Sequence, residues 1–418
     1  MTDSDEKKMP PYLSYANGEF LPGKTQVLYS GPYWDHREIE MGTKALLTGK
    51  WLTAGEYVAR FQNEFARYFG VRYAHMVNSG SSANLIMLAA LKKHLGWKDG
   101  SEVIVSPVGF PTTIAPIVQN NLKPIFVDIE MSTLNFDLEL VQTAITPRTK
   151  AILVSPVLGN PPHMEILESL GVTLIGDNCD SLGSKWNGRY LTDFYSAWST
   201  SFYPAHHITT GEGGMICSND AEYMKIAKSM SWWGRACYCV GAANLLPCGT
   251  CGKRFSDWMG DGSTSDHKYI FDNIGYNLKP LDLQGAIGLA QMEKIEEIES
   301  KRRSNFKEMS TIFDEMPNVR VAGKYLQADP CWFGVPLICD SAEIKNSLVS
   351  HLEKNMIQTR PYFAGNILRH PGYKHLGDQA AFPLANQVMD KVFFVGCPPF
   401  YTKEIIQYIE QTVESWKP

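Results

Sequence analysis

Residues 73–95, YAHMVNSGSSANLIMLAALKKHL, decide the fold. YAHMVN (73–78) is a short apolar run that ends in turn residues, which predicts a strand. SSANLIMLAALKKHL (81–95) spaces its apolar residues as a helix does. Working outward, the same alternation recurs. EVIVS (102–106) reads as a strand, PTTIAPIVQ (111–119) as a helix and KPIFVDI (123–129) as a strand. DLELVQTAI (137–145) reads as a helix, TKAILVSPV (149–157) as a strand, EILESLG (165–171) as a helix and VTLIG (172–176) as a strand. Short apolar strands separated by amphipathic helices predict an α/β fold, with a mainly parallel sheet covered on both faces.

Upstream, GEYVARFQNEFARYF (55–69) predicts one more helix, and the first fifty residues read as irregular. Downstream, 232–275 breaks the pattern. It is rich in Gly, Cys, Trp and Asp, has no period, and reads as a long ordered insertion of a functional kind. LDLQGAIGLAQMEKIEEIESKRRSNFKEMSTIF (281–313) predicts one long helix. A strand (CWFGVPLIC, 331–339) and a last helix (KEIIQYIEQTVES, 403–415) follow.

With 418 residues the chain suits a large domain plus a smaller one. A net charge of −5 without a basic run argues against nucleic acid as a partner. No apolar stretch approaches the roughly 20 residues of a membrane helix, and MTDSDEKKMP (1–10) lacks the apolar region of a signal peptide, so a soluble cytoplasmic protein is expected. Four of the nine cysteines (Cys237, Cys239, Cys248, Cys251) fall within fifteen residues. In a reducing compartment such a cluster points to metal or catalysis rather than disulfides.

Three segments carry candidate chemistry. In NSGSSANL (78–85), Gly80 permits a tight turn, and Ser81 and Ser82 offer hydroxyls and N–H groups at a helix N-terminus. This is either an anion site or simply a capped helix. Asp177, in GDNCDSLG (176–183), ends an apolar strand, where open α/β sheets bind ligands. It either pairs with a protonated pyridine nitrogen or caps a helix. STSFYPAHHITTGEGGMI (199–216) is a polar, glycine-rich loop with adjacent His206 and His207, read equally as catalytic or structural.

Together these segments resemble the DegT/StrS sugar aminotransferases, a fold-type I pyridoxal phosphate family. The resemblance runs from WLTAGEYVARFQNEFARYFG (51–70) through NSGSSANL, GFPTTIAP (109–116), GDNCDSLG, SFYPAHHITTGEGG and GYNLK (275–279) to the C-terminal helix. It implies a large cofactor-binding domain at 51–300 holding the Cys-rich insertion 232–275, an N-terminal segment 1–50, and a small C-terminal α+β domain at 301–418. One departure matters most. Where the aminotransferases have the lysine that holds the cofactor covalently, this chain has His206. Imidazole forms no such bond but titrates near neutrality and moves protons. A lysine-to-histidine change of this kind is similar to the 3-dehydrase branch of the family.

Two dehydrase types share that histidine. One is metal-free and consumes glutamate; the other binds a [2Fe–2S] cluster and draws electrons from a reductase. The cysteines resemble the second type, which acts on CDP-4-keto-6-deoxyglucose. Fifty-seven residues separate Cys179 from Cys237, one separates Cys237 from Cys239, and CGKRF begins at Cys251. The gap of eleven residues before Cys251 exceeds the family's seven, which leaves Cys248 as a competing fourth ligand. Four thiolates suit [2Fe–2S] or zinc, and C-x-C fits zinc knuckles poorly.

The resemblance implies these roles. Ser81, Ser82 and Ser201 meet the cofactor phosphate, Phe110 stacks on the ring and Asp177 takes the pyridine nitrogen. Asn277 reaches the phosphate from a second subunit, which implies a homodimer. His206 is the catalytic base, with Asp180 and Tyr203 adjusting the cofactor's surroundings. The expected activity is pyridoxamine phosphate-dependent removal of the C3 hydroxyl of a nucleotide-linked 4-keto-6-deoxyhexose, CDP being favoured. No G-x-G-x-x-G follows a strand, so a separate flavin and NADH reductase is expected as electron donor. The rivals are the glutamate-consuming dehydrase, an ordinary aminotransferase and a non-catalytic family member.

Overall fold

The computed structural model describes residues 20–49, 51–237 and 252–417. Two helices come first, α1 (His36–Thr48) and α2 (Glu56–Tyr68), and α1 corrects the expectation of an irregular start. Asp35 and Glu38 form a capping box: the Asp35 carboxylate accepts from the Arg37 N–H at 2.8 Å, and Glu38 accepts from the Asp35 N–H at 2.9 Å.

The predicted alternation follows. It runs β1 (Tyr73–Val77), α3 (Gly80–His94), β2 (Glu102–Val105), α4 (Pro111–Gln119), β3 (Lys123–Phe126), α5 (Leu138–Thr143), β4 (Thr149–Val154), α6 (Met164–Ser169) and β5 (Thr173–Asp177). A small hairpin, β6 (Lys185–Trp186) and β7 (Arg189–Tyr190), leads to β8 (Ala197–Ser201), β9 (Gly214–Ser218) and α7 (Ala221–Ser231). Seven strands form one sheet in the order β1-β9-β8-β5-β4-β2-β3. Only β9 runs against its neighbours, so the sheet is mainly parallel. Strands such as β2, β8 and β9 are buried along their whole length, as a sheet covered on both faces requires.

Of the expected insertion 232–275, residues 238–251 lie outside the described part, and 252–275 holds turns and one 3₁₀ turn at His267–Tyr269. The predicted long helix is two, α8 (Asp282–Met292) and α9 (Ile295–Asp314). The break falls at Lys294, whose ammonium reaches back to Glu38 at 2.8 Å and Asp35 at 3.1 Å. The chain then forms β10 (Val319–Val321), β11 (Ala328–Asp329), β12 (Gly334–Cys339), α10 (Ala342–Lys354), β13 (Thr359–Pro361), α11 (Pro383–Lys391), β14 (Val392–Gly396) and α12 (Lys403–Ser415). Strands β10, β12, β14 and β13 make an antiparallel sheet, while β11 joins the β6–β7 hairpin. No described helix is long and apolar enough to cross a membrane.

Candidate active site

A cleft of about 470 Å³ opens where β1, β5 and β8 end, at the carboxyl edge of the parallel sheet. Its size suits a cofactor with a small substrate. Ser81, Phe110, Asp177, Cys179, Asp180, Ser201, Tyr203 and His206, all singled out from sequence, line it.

One end is the N-terminus of α3. Ser79 caps that helix, its hydroxyl accepting from the Ser82 N–H at 3.1 Å. Ser82 is therefore turned to the cap and does not line the cleft, contrary to the reading that paired it with Ser81. Ser81 faces the cleft, its hydroxyl donating to Thr112 Oγ1 at 3.0 Å. The N–H groups of the first turn that the cap leaves free, and the helix dipole, make this end a natural seat for an anion. The strand ends pack against it without slack. A Cβ on Gly80 would lie 2.5 Å from Ser201 Cβ, and one on Gly214 would overlap the Ser79 carbonyl oxygen. Gly80→Ala should therefore destabilise the fold by about 1–3 kcal/mol and weaken pyridoxal phosphate binding; thermal denaturation and a cofactor titration would check both.

The other end is Asp177, 5% exposed. Its Oδ2 accepts from Asn84 Nδ2 at 2.8 Å and from Thr113 Oγ1 at 2.6 Å, and its Oδ1 accepts from the Cys179 N–H at 3.3 Å. Ser199 donates to Asn84 Oδ1, which turns the amide so that its NH₂ faces Asp177. The carboxylate is thus fixed, with capacity left on Oδ1 for one more donor. Phe110, half exposed at the mouth, packs edge-on to Phe363 at 6.0 Å.

His206 forms the floor between them. Its Nδ1 lies 3.5 Å from Asp180 Oδ1 without a hydrogen bond, and it is buried with no other partner. Burial, and then the Arg302 guanidinium, hold the imidazole down to about 3, so the resting ring is neutral. Burial, and then the Asp177 charge, push Asp180 up to about 7. Rings of Tyr203 (6.4 Å) and Phe333 (5.4 Å) flank the imidazole. The loop is pinned from α9: Arg302, wholly buried, donates to the carbonyls of His206 (3.1 Å), Ala205 (3.5 Å), Phe333 (3.2 Å) and Trp332 (3.3 Å). From α8, Gln291 accepts from the Thr209 N–H at 3.1 Å. His207 is structural: its Nε2 lies 2.7 Å from the Cys331 carbonyl.

The cysteine set divides. Cys179 sits in the cleft wall, its thiol pushed well up by burial and by Asp177, and Cys237 is buried at the start of the insertion. Cys239, Cys248 and Cys251 lie outside the described residues. Cys217, Cys331, Cys339 and Cys397 are buried. Asn277 is exposed and outside the cleft of its own chain, although the adjoining Leu278 carbonyl accepts from the Asn78 N–H at 3.0 Å, beside the α3 terminus. Sequence reading missed Asn84, Thr113, Phe333 and Arg302. Asn84 had a signal, being a polar residue within an apolar helix that must find a partner. Arg302, between Lys301 and Arg303, had none.

Residues 34–414 match the model of the DegT/DnrJ/EryC1/StrS aminotransferase family. The chain belongs to that family. DegT/DnrJ/EryC1/StrS proteins similar to it include dTDP-4-dehydro-2,6-dideoxy-D-glucose 3-dehydratase of Saccharopolyspora spinosa, 40% identical over 407 residues that cover 94% of this chain and 87% of the relative. Lipopolysaccharide biosynthesis protein RfbH of Salmonella typhimurium is 37% identical over 416 residues, covering 95% and 93%. Among solved structures, E. coli GDP-4-keto-6-deoxy-D-mannose-3-dehydratase with bound hydrated PLP aligns with a TM-score of 0.82 at 32% identity, over 93% of this chain and all of that one. The α/β architecture of the DegT/DnrJ/EryC1/StrS chain is thus the fold-type I aminotransferase fold expected from its sequence.

Proposed function

We propose that this protein removes the C3 hydroxyl of a nucleotide-linked 4-keto-6-deoxyhexose, CDP-4-keto-6-deoxyglucose first among the candidates, with pyridoxamine phosphate and a [2Fe–2S] cluster as cofactors. The observation that carries the reading is His206, an imidazole without a hydrogen-bond partner on Nδ1, in a cleft with a helix N-terminus at one end and the buried Asp177 carboxylate at the other. The residues fit pyridoxamine phosphate. The α3 N-terminus, Ser81 and Ser201 would take the phosphate, Asp177 the protonated pyridine nitrogen, and Phe110 the face of the ring. When bound, that cofactor supplies an amine for the sugar's C4 ketone and an electron sink for the breaking C3–O bond.

The chain's own side chains handle protons. His206, neutral at rest, would accept the proton that the bound cofactor gives up, and Asp180, 3.5 Å from Nδ1, would meet the charge that forms. Phe333 and Phe363 in the cleft wall exclude water from that step. Without a lysine at 206 the cofactor would be held by these non-covalent contacts alone. Cys179, Cys237, Cys239 and Cys251 would hold the cluster, which supplies electrons singly from a flavin and NADH reductase. A second copy of the chain would bring Asn277 to the phosphate. Exposed Tyr269, Phe271, Ile274 and Tyr276, next to Asn277, support that homodimer.

The test is anaerobic purification with iron and sulfide analysis, followed by incubation with the CDP-, dTDP- and GDP-linked ketosugars and an electron donor. Loss of one oxygen atom from a sugar, with no glutamate consumed, is the expected result. Glutamate-dependent loss by an iron-free protein would replace the cluster with the metal-free chemistry, and amination of the sugar would sink the dehydrase reading. Cys179→Ser and Cys237→Ser should each lose most of the bound iron, while Cys217→Ala keeps it. Equal iron in all three would remove the cluster from these residues.

A further inference from the structure

The cleft has a charge problem. Three carboxylates, Asp177, Asp180 and Glu212, line it, and no described lysine or arginine does. A nucleotide-linked sugar carries a diphosphate, which is at least doubly negative at neutral pH. The α3 terminus belongs to the cofactor's phosphate, and Arg302 is sealed beneath His206 on four carbonyls. Some other cation at the rim must offset the substrate's charge.

Arg360 is in that place. It sits in the middle of β13, opposite Phe394 of β14. Its guanidinium lies 4.2 Å over the ring of Tyr29, which lines the cleft. The pairing is built in by the backbone. The Val27 N–H donates to the Met356 carbonyl at 2.7 Å, and the Gln358 N–H to the Val27 carbonyl at 2.9 Å, so the two segments run side by side. The Tyr29 N–H then donates to Gln358 Oε1 at 3.3 Å, while Phe394 (5.9 Å) and Phe333 (6.5 Å) hold its ring. The Tyr29 hydroxyl is raised first by burial and is also influenced by Arg360 on one side and by Tyr203 and Asp180 on the other. The guanidinium therefore stands one ring away from the catalytic floor.

Arg360 is also free of any carboxylate partner among the described residues. It is partly exposed. Its Nη1 donates to the Thr359 carbonyl at 2.7 Å, and a further side-chain hydrogen bond joins it to the Tyr29 hydroxyl. A guanidinium has five N–H donors, so one held over an aromatic ring and spending a donor or two locally still has others with which to bind a phosphate in bidentate fashion. We propose that Arg360, held over the Tyr29 ring, receives the diphosphate of the nucleotide-linked substrate at the rim of the cleft. This rests on the nucleotide-sugar reading above.

The test is equilibrium dialysis on the cofactor-loaded protein with CDP, dTDP and GDP, and with the matching nucleosides. Wild type should bind at least one diphosphate, with affinity falling as salt rises. Arg360→Gln should weaken that binding on the order of 10- to 100-fold and flatten its salt dependence, with cofactor absorbance and nucleoside binding unchanged. Arg360→Lys, which keeps the charge without the fork, should fall between them. Equal diphosphate affinity in wild type and Arg360→Gln would overturn the assignment to Arg360 while leaving the nucleotide-sugar reading intact. Parallel loss of diphosphate and nucleoside binding would also overturn it, by showing general damage to the site. A wild-type protein that binds none of the three diphosphates would overturn the nucleotide-sugar reading itself.

Discussion

His206→Lys should capture pyridoxal phosphate covalently and lose the dehydration. A lysine at 206 would place its amine beside Asp180, in the cleft that Phe110 and Phe363 also line. Borohydride reduction followed by peptide mass spectrometry should find the cofactor on residue 206 of the variant and on no residue of the wild type. The variant also loses an imidazole that takes up protons while neutral. Removal of a general base of this kind costs on the order of 10²–10⁴-fold in rate. A lysine that is never labelled, with the variant folded and the cofactor in excess, would mean that the cofactor's reactive carbon lies elsewhere. The whole assignment of the cleft would then need to be redrawn.

Asp177→Asn should be the second most damaging change. The substitution keeps the shape, and the two ends of Asn84 and Thr113 that now donate to Oδ2 remain in place. What disappears is the negative charge that would face a pyridinium N–H. A fixed electrostatic partner of this kind is worth on the order of 10²–10³-fold in rate. Single-turnover kinetics with pre-loaded pyridoxamine phosphate would read the loss directly, with circular dichroism to show that the fold survives. A rate within about threefold of wild type, far inside the range that such electrostatic groups command, would exclude Asp177 as the ring's partner.

Much of this site was legible because its parts are local. Ser81, Asp177 and His206 each follow a strand end within a short stretch whose residue types are unusual for a core. The parallel sheet was legible for a related reason: fully buried strands read as unbroken apolar runs, as β2 and β4 do. The misses are long-range. The pairing of Asn84 with Asp177 spans 93 residues and that of Arg302 with His206 spans 96, and no periodicity encodes either. The split between α8 and α9 has no glycine or proline to announce it, since an ion pair from Lys294 back to Glu38 and Asp35 accompanies the break. Helix α1 is different, because its capping box is written in DHRE (35–38) and was available to a closer reading.

Arg302 ties two events of unfolding into one. Its guanidinium joins the carbonyls of the His206 loop to those of the segment entering β12, and it is carried by the first half of a twenty-residue helix. Opening the loop alone would take from a buried cation the two acceptors of its Nη2, so the loop resists fraying more than an ordinary surface connection does. Amide hydrogens at 205–210 should exchange with the slowness of α9 and the C-terminal sheet, in a single cooperative unit, although most of them belong to no helix or strand. His206, the proposed base, would thereby be held with the core, and any motion during turnover would fall to the rim around Phe110, Tyr203 and Arg360.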